Sequence, residues 1–332
     1  MRILIVTAYR SFRGGVESVT RMLQAVFEED GHEVSYLTAD GPFPWQAQLL
    51  RRLVGLPAVT ALRFRQIRRN SFDLIIANGE FGWGIRHPRA LCLFHGSYAG
   101  FRDHVKPHLS ARQIVSLSWL SRIQKQAAVG KRVVAVSQFV ADILEAQGIA
   151  VEGVIANCVD TDRFRPPPAK KRKGYLFVGN YHRYGKGFDI LEEVARNGIV
   201  IDCVTDTDPG SGLGFLGPRR PEEMPEVYRS YGFLVFPSRF EGLGLAPLEA
   251  MSCGLPLVMT DVGLGPELAR ELPQFVVGLG SSKLALLIVD RIALIEASYD
   301  QYSRAARDYV LRNHSVQRFK DEWRKCVERM TG

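Results

Sequence analysis

Phe236-Pro-Ser-Arg-Phe-Glu241-Gly-Leu-Gly-Leu-Ala-Pro-Leu-Glu249-Ala-Met-Ser-Cys-Gly254-Leu-Pro256 passes from an apolar run, through a loop with two glycines, into a stretch of helical pattern. The helix is expected to begin near Ala246 or Pro247, because proline suits a first turn, where the N–H it lacks has no intrahelical partner. Gly242 and Gly244 let the backbone approach a ligand closely. The free amides of a helix start, with its dipole, favour an anion. Glu241 falls on the loop and Glu249 within the first turn or so of the helix, so two carboxylates flank an amide-lined anion site. Such a site suits a diphosphate with hydroxylated groups at both ends, one carboxylate accepting hydrogen bonds from a sugar and the other from a ribose. Either acid alone reads as an ordinary complement to a helix dipole. The spacing, the glycines and the Glu-Ala-Met-x-Cys-Gly-x-Pro tail together point to a ligand.

Working outward, short apolar runs alternate with segments long enough for crossover helices. Residues 3–7, 34–37, 74–77, 91–94, 133–136 and 154–156 read as buried strands, and the pattern begins again at 175–178, 199–204, 233–236, 257–259 and 275–277. Alternation of this kind gives a parallel α/β sheet, here twice, so the expected architecture is two Rossmann-like halves. Between them, Pro166–Pro168 can continue neither a helix nor a central strand, and the basic run from Lys170 to Lys173 repels itself. The expected domains are 1–165, a linker at 166–174, 175–310, and a C-terminal helical segment, 311–332, packing back on the first domain; the helical pattern itself runs from about Asp300 to Met330.

The 332 residues are 46% hydrophobic and 23% charged, an ordinary globular balance that excludes disordered and collagen-like classes. Five scattered cysteines without a C-x-x-C suggest neither a disulfide framework nor a structural zinc site, and fit a reducing compartment. The first apolar run is too short for a signal peptide, and no run is long enough to span a bilayer. Lys+Arg number 43 against 35 Asp+Glu, a net charge of +8. Residues 1–168 hold 21 basic and 14 acidic side chains, and residues 169–332 hold 22 and 21. The first half should therefore meet something anionic: nucleic acid, a membrane surface or a phosphorylated substrate.

The segment quoted above resembles the Glu-x7-Glu signature of the retaining GT-B glycosyltransferases of glycosyltransferase family 4, and other segments match that family in order. Arg13-Gly14-Gly15-Val16-Glu17 follows the first strand; His95-Gly96 follows the fourth; Val136-Ser137 ends the next. Asn157-Cys-Val-Asp160-Thr-Asp-Arg-Phe164 resembles the stretch before the family's linker, and Phe177-Val-Gly179, Lys186-Gly187 and Phe215-Leu-Gly217 its nucleotide domain. The resemblance covers nearly the whole chain. It implies a GT-B fold, two Rossmann-like domains with parallel sheets facing across a cleft. It also implies an NDP-sugar-dependent, retaining, metal-independent enzyme of hexosyltransferase type with no cofactor, the nucleotide sugar being a substrate and a UDP-sugar favoured over a GDP-sugar.

By the same resemblance, Glu241 holds the donor sugar, His95 hydrogen-bonds one of its hydroxyls, and Lys186 neutralises the diphosphate as the nucleotide departs; these three are the expected catalytic residues. Gly14, Gly15, Gly242, Leu243, Gly244, Leu245 and Glu249 are the expected donor-binding residues, Glu249 at the ribose, and Glu267 also fits a position near the sugar. The family usually carries an arginine after the Gly179 position. Asn180 stands there, which leaves Arg183 as a substitute phosphate clamp. Asp160-Thr-Asp162 and Asp206-Thr-Asp208 both spell D-x-D, a metal-binding pattern in an unrelated fold; the second reads better as a turn, and no metal site is expected.

Residues 41–72 contain no acid and carry Arg51, Arg52, Arg63, Arg65, Arg68 and Arg69 among Trp45, Leu49, Leu50, Leu53, Val54, Leu56 and Leu62. Residues 104–141 are again free of acid. Basic helices with an apolar face read as an anionic membrane contact or an acceptor site, part of their apolar content serving the core. Nucleic acid is disfavoured, since no recognised binding motif is present. The expected activity is transfer of a sugar to a membrane-associated or phosphorylated glycan or lipid acceptor, such as a lipid-linked or lipopolysaccharide-type molecule. The expected location is the cytoplasm, at the inner face of the cytoplasmic membrane. Rival readings are a nucleotide-sugar epimerase, a sugar phosphorylase of the same fold, or a non-catalytic polyanion- or membrane-binding protein.

Overall fold

The computed structural model describes residues 1–10, 14–40, 51, 54–67, 71–167, 174–210 and 212–331. The chain divides into two compact units, one formed by Met1–Ala156 with Lys320–Gly332 and the other by Asn157–Phe319. The central residues of the linker run, 168–173, lie outside the described residues.

Unit 1 is built on six parallel strands: β1 (Arg2–Thr7), β2 (Glu33–Thr38), β3 (Leu74–Asn78), β4 (Ala90–Phe94), β5 (Arg132–Ala135) and β6 (Gly153–Val154), in the order β2-β1-β3-β4-β5-β6. Ile3, Leu4, Ile5, Val6, Leu74, Ile75 and Ile76 are buried. Strands covered by helices on both faces are apolar along their length rather than alternating, which is why these runs stand out in the sequence. The helices are α1 (Gly15–Glu29), α2 (Leu56–Arg65), α3 (Tyr98–Val105), α4 (Ala111–Ala128) and α5 (Gln138–Ala146). Ser110 caps α4 in a reciprocal box with Gln113.

Unit 2 repeats the design with β7 (Tyr175–Val178), β8 (Ile201–Val204), β9 (Gly214–Phe215), β10 (Phe233–Phe236), β11 (Leu257–Thr260) and β12 (Val276–Val277), in the order β12-β11-β10-β7-β8-β9. Its helices are α6 (Phe188–Arg196), α7 (Met224–Ser230), α8 (Leu245–Ser252), α9 (Gly265–Glu271), α10 (Leu284–Glu296) and α11 (Tyr299–Asn313). The two-residue strand β9 is too short to register as a hydrophobic run. The two α/β halves read from the sequence are thus present, each as a six-stranded parallel sheet.

The helical pattern near the C-terminus is not one helix. It breaks at His314, and a second helix, α12, runs over Val316–Thr331. The break is held by paired bonds: the Val159 N–H donates to the His314 carbonyl at 3.1 Å, and His314 Nδ1 meets the Asn157 carbonyl at 3.0 Å. Beyond Lys320, α12 belongs to unit 1. Trp323 is buried edge-on against Phe27 of α1, ring centroids 6.1 Å apart, and Arg324 reaches Asp30 with two nitrogens.

Counted by unit, the charge asymmetry is complete. Unit 1 holds 23 Lys+Arg and 15 Asp+Glu, accounting for the whole +8; unit 2 holds 20 of each.

Candidate active site

In unit 2 the strand order reverses between β7 and β10, which pair directly in the middle of the sheet. The loops that follow them leave the same edge of the sheet side by side, the usual place for a ligand in an open parallel sheet. Two features bind these loops together. Arg239 donates its N–H to the Gly185 carbonyl at 2.8 Å and forms a bidentate pair with Asp189 at 2.7 and 2.6 Å. Gly187, at φ +74°, lies so close to the Pro237 carbonyl that a Cβ there would overlap it. The result is to bring Lys186 Nζ within 2.6 Å of Glu241 Oε1, with Nζ also 5.8 Å from the centre of the Phe236 ring. The Glu241 side chain is only 11% exposed, so its charge is largely taken out of water and the lysine compensates it.

The helix after this loop starts at Leu245, so Pro247 lies in its first turn and Glu249 is its fifth residue. Glu249 accepts a hydrogen bond from the Tyr228 hydroxyl at 2.9 Å. Burial pushes its carboxyl up to about 7, against the pull of that bond. Gly244, at φ +98°, sits at the helix entrance. Leu243 turns its side chain into the core, and its carbonyl accepts from Leu264 N–H at 2.9 Å. Gly242, Leu245 and Glu267 are half-buried.

Arg183 is engaged elsewhere: its guanidinium forms a two-point pair with Glu192 of α6, at 2.7 and 2.9 Å. Asn180 is exposed. Three of the four D-x-D carboxylates serve the backbone. Asp206 Oδ1 accepts from Tyr181 N–H, Asp208 Oδ1 from Gly210 N–H, and Asp160 Oδ1 from both Asp162 and Arg163 N–H.

In unit 1 the corresponding reversal lies between β1 and β3. Thr7 ends the first strand, Asn78 the second, and their side chains meet at 3.1 Å. Gly14 precedes α1 and Gly15 opens it. From that helix Thr20 reaches Asn78 at 3.0 Å, and Asn78 Oδ1 in turn lies 3.2 Å from Nε2 of His95. Burial pushes the His95 imidazole down to about 4, so the ring is neutral near pH 7. The segment after His95 is pinned by Gln124 of α4, which accepts from Tyr98 N–H and donates to the Gly96 carbonyl. Tyr98 donates its hydroxyl to Glu80, whose carboxyl burial pushes up.

The basic residues of 51–69 are dispersed. Arg63 is spent on the Thr38 carbonyl at 2.6 Å, whereas Arg51 and Arg65 are exposed. Arg65 lines a concavity of about 550 Å³ together with Trp83, Arg86, Gln126 and Lys131. Arg13, Arg52, Arg68 and Arg69, with Trp45, Leu49, Leu50 and Leu53, lie outside the described residues. In α4, Val115 and Trp119 are 69% and 46% exposed, and Arg112 and Arg122 are exposed beside them.

The family described as Glycosyltransferase Family 4 matches residues 13–163, and that described as Glycosyl transferases group 1 matches residues 172–286. The chain belongs to glycosyltransferase family 4. The chain is 31% identical to the lipopolysaccharide core biosynthesis mannosyltransferase LpsB of Rhizobium meliloti (strain 1021), over 44% of this chain and 49% of that protein. It therefore spans about half the length of that relative. Its fold matches WaaG, a glycosyltransferase involved in lipopolysaccharide biosynthesis, with a TM-score of 0.74 at 16% identity over 99% of this chain and 100% of that one. It also matches Anabaena HepE in complex with UDP-glucose, with a TM-score of 0.71 at 17% identity over 99% of each chain. These likenesses place the chain in the GT-B fold.

Four residues that organise the candidate site carried no sequence signal strong enough to find them: Asn78 and Thr20 in unit 1, and Arg239 and Asp189 in unit 2. Asn78 ends its strand and could have been suspected as a polar residue closing an apolar run. The Arg239–Asp189 pair joins positions fifty residues apart and becomes visible only once β7 and β10 are neighbours.

Proposed function

We propose that the protein is a retaining glycosyltransferase that moves a sugar from a nucleoside-diphosphate sugar, a UDP-sugar in preference to a GDP-sugar, to a membrane-associated or phosphorylated glycan or lipid acceptor. The observation that carries this reading is the Lys186–Glu241 pair at the strand reversal of unit 2, followed on the same strand–loop–helix segment by the half-buried Glu249. Lys186 supplies positive charge for a diphosphate, and a preorganised cation there stabilises the leaving nucleotide as the glycosidic bond breaks. Glu241 accepts from sugar hydroxyls and Glu249 from the ribose. His95 takes a sugar hydroxyl, and Gly14 and Gly15 contribute backbone N–H groups at a helix start. Retention follows from attack on the face the nucleotide leaves, the departing phosphate accepting the acceptor's proton.

Binding of UDP-glucose by HepE supports a UDP-sugar donor, and the lipopolysaccharide roles of LpsB and WaaG support an envelope glycan acceptor. The location proposed is the inner face of the cytoplasmic membrane. The charge of unit 1 and the exposed Val115–Trp119 face of α4 support a peripheral contact with anionic lipid; among the described residues no helix is long and apolar enough to cross a membrane. Catalysis is proposed to be metal-independent, a reading supported by the carboxylates of Asp160, Asp206 and Asp208, which each accept backbone N–H bonds.

A thermal-shift screen of UDP- and GDP-sugars identifies the donor, because a ligand of the native state raises its melting temperature by mass action. The anomeric configuration of the product, read by NMR, then tests the mechanism. Retention, undiminished in excess EDTA, is expected; inversion, or epimerised donor without an acceptor, overturns the reading.

A further inference from the structure

The hydrogen bonds leading to His95 have a direction that the donor chemistry fixes. Thr20 donates its only hydroxyl proton to the Val16 carbonyl, one turn back in α1, at 2.7 Å. Its oxygen must therefore act as acceptor toward Asn78, 3.0 Å away, which places the Asn78 amide nitrogen, and not its oxygen, on that side. The second proton of the same nitrogen is directed at Thr7 Oγ1, 3.1 Å away. Both N–H bonds of Asn78 are thereby used within the strand-reversal pocket, leaving Oδ1 to face His95 Nε2 at 3.2 Å. An amide oxygen can only accept, so Nε2 must carry the proton.

Thr7, Thr20 and Asn78 are all buried, so no surrounding water is at hand to replace a mismatched partner. Turning the amide over would set its oxygen against the Thr20 oxygen, whose proton is already committed. Only that turned amide would let Nε2 be the unprotonated, accepting nitrogen, and the Thr20 bond stands against it.

We propose that Asn78 is a positioning residue that holds His95 as its Nε2–H tautomer, so that Nδ1 is offered as a hydrogen-bond acceptor to a substrate hydroxyl. This deepens the proposed function and rests on its reading of His95 as a hydroxyl-binding group. The Gly-Gly loop opens the helix from which the relay starts, and the relay ends on a histidine just after β4. The consequence for recognition is definite: the ligand group at Nδ1 must be a donor, a hydroxyl rather than an ether or carbonyl oxygen.

The test is a long-range proton–nitrogen NMR correlation on the whole, ligand-free protein labelled with ¹⁵N-histidine at pH 7.5, with the His95 signals assigned by their loss in His95→Gln. The expected spectrum shows a protonated Nε2 and an unprotonated Nδ1. A protonated Nδ1, or an imidazolium, overturns the proposal. Thr20→Ser keeps the hydroxyl and is expected to keep the tautomer. Thr20→Val keeps the shape but removes the acceptor that orients Asn78, and is expected to give a mixture of tautomers, as is Asn78→Ala. A tautomer unchanged in Thr20→Val overturns the relay, even if Asn78→Ala fails to fold. On transfer activity, the loss of kcat/KM in Thr20→Val is expected to be about tenfold, the scale of one hydrogen bond, with Thr20→Ser near wild type. Because the NMR readout needs no substrate, a protein that transfers no sugar yet shows the Nε2–H form would overturn the proposed function and leave this assignment standing.

Discussion

A carboxyl withdrawn from water beside a single phenol, as Glu249 is beside Tyr228, ionises only with difficulty, and its proton is held up to about 7. In the proposed donor site, ribose hydroxyls would donate to the ionised form. Below neutrality, binding must therefore release a proton, and affinity falls as pH falls; above the carboxyl's own pKa the dependence flattens. Calorimetric titration with UDP over roughly pH 5.5 to 8.5 is expected to show tightening up to about pH 7, with a slope approaching tenfold per pH unit on the acid side. Glu249→Gln is expected to bind more weakly and without that slope. Folding carries the opposite sign. The folded pKa lies above the ordinary value, so the carboxyl's contribution to stability is present below about pH 4.5 and is lost as pH rises through about 7. Glu249→Gln, which keeps a partner for Tyr228, should accordingly gain melting temperature relative to wild type at pH 8 but not at pH 4.5. The two measurements bear on one group from opposite directions, and a pH-independent affinity in wild type would remove Glu249 from the nucleotide site.

Elements are held in this chain by two kinds of contact, and substitution separates them. Gly187 precedes α6 in a left-handed conformation and faces the Pro237 carbonyl. A methyl group there is strained by φ and by overlap with backbone, so Gly187→Ala should push the Lys186 loop off the Glu241 loop. The expected outcome is a donor affinity lowered by more than tenfold, read by titration, with a smaller change in melting temperature. Trp323 anchors α12 on α1 through a fully buried indole, and Trp323→Ala is expected to cost about 3–5 kcal/mol in denaturant unfolding. Arg324→Ala, which breaks a partly exposed pair with Asp30, should cost far less. The strands of both sheets, β9 excepted, were legible because burial on two faces makes most of them continuous apolar runs. The break at His314 was not, since it depends on bonds to residues 157–159 that lie far away in sequence. The Glu241–Glu249 segment was legible because its parts are local. The Thr20–Asn78–His95 relay was not, because three separate elements supply it and only the strand order brings them together.

At the scale of the molecule, the same difference between local and assembled information governs the charge. Summed over the sequence, +8 is unremarkable for a chain of this length, but the return of α12 from Lys320 onward leaves unit 2 neutral and unit 1 carrying all of it. An anionic surface would then be attracted to one unit alone. Within that unit the 51–69 segment spends Arg63 on a strand carbonyl, whereas α4 presents Val115 and Trp119 to solvent between Arg112 and Arg122, an apolar pair flanked by cations. Basic side chains contribute about 1 kcal/mol each at an anionic bilayer, and an interfacial tryptophan adds its buried area. Co-sedimentation is thus expected with vesicles containing phosphatidylglycerol, and not with purely zwitterionic ones, with binding lost at about 1 M salt, where the Debye length is about 3 Å. Reversing both arginines, Arg112→Glu with Arg122→Glu, should lower the partition coefficient by more than tenfold; Trp119→Ser should lower it while leaving its salt dependence intact. Sedimentation that ignores all three changes would move the contact off α4. No sedimentation at low salt would remove the bilayer from the anions that unit 1 is proposed to meet and leave a phosphorylated acceptor as the next to test.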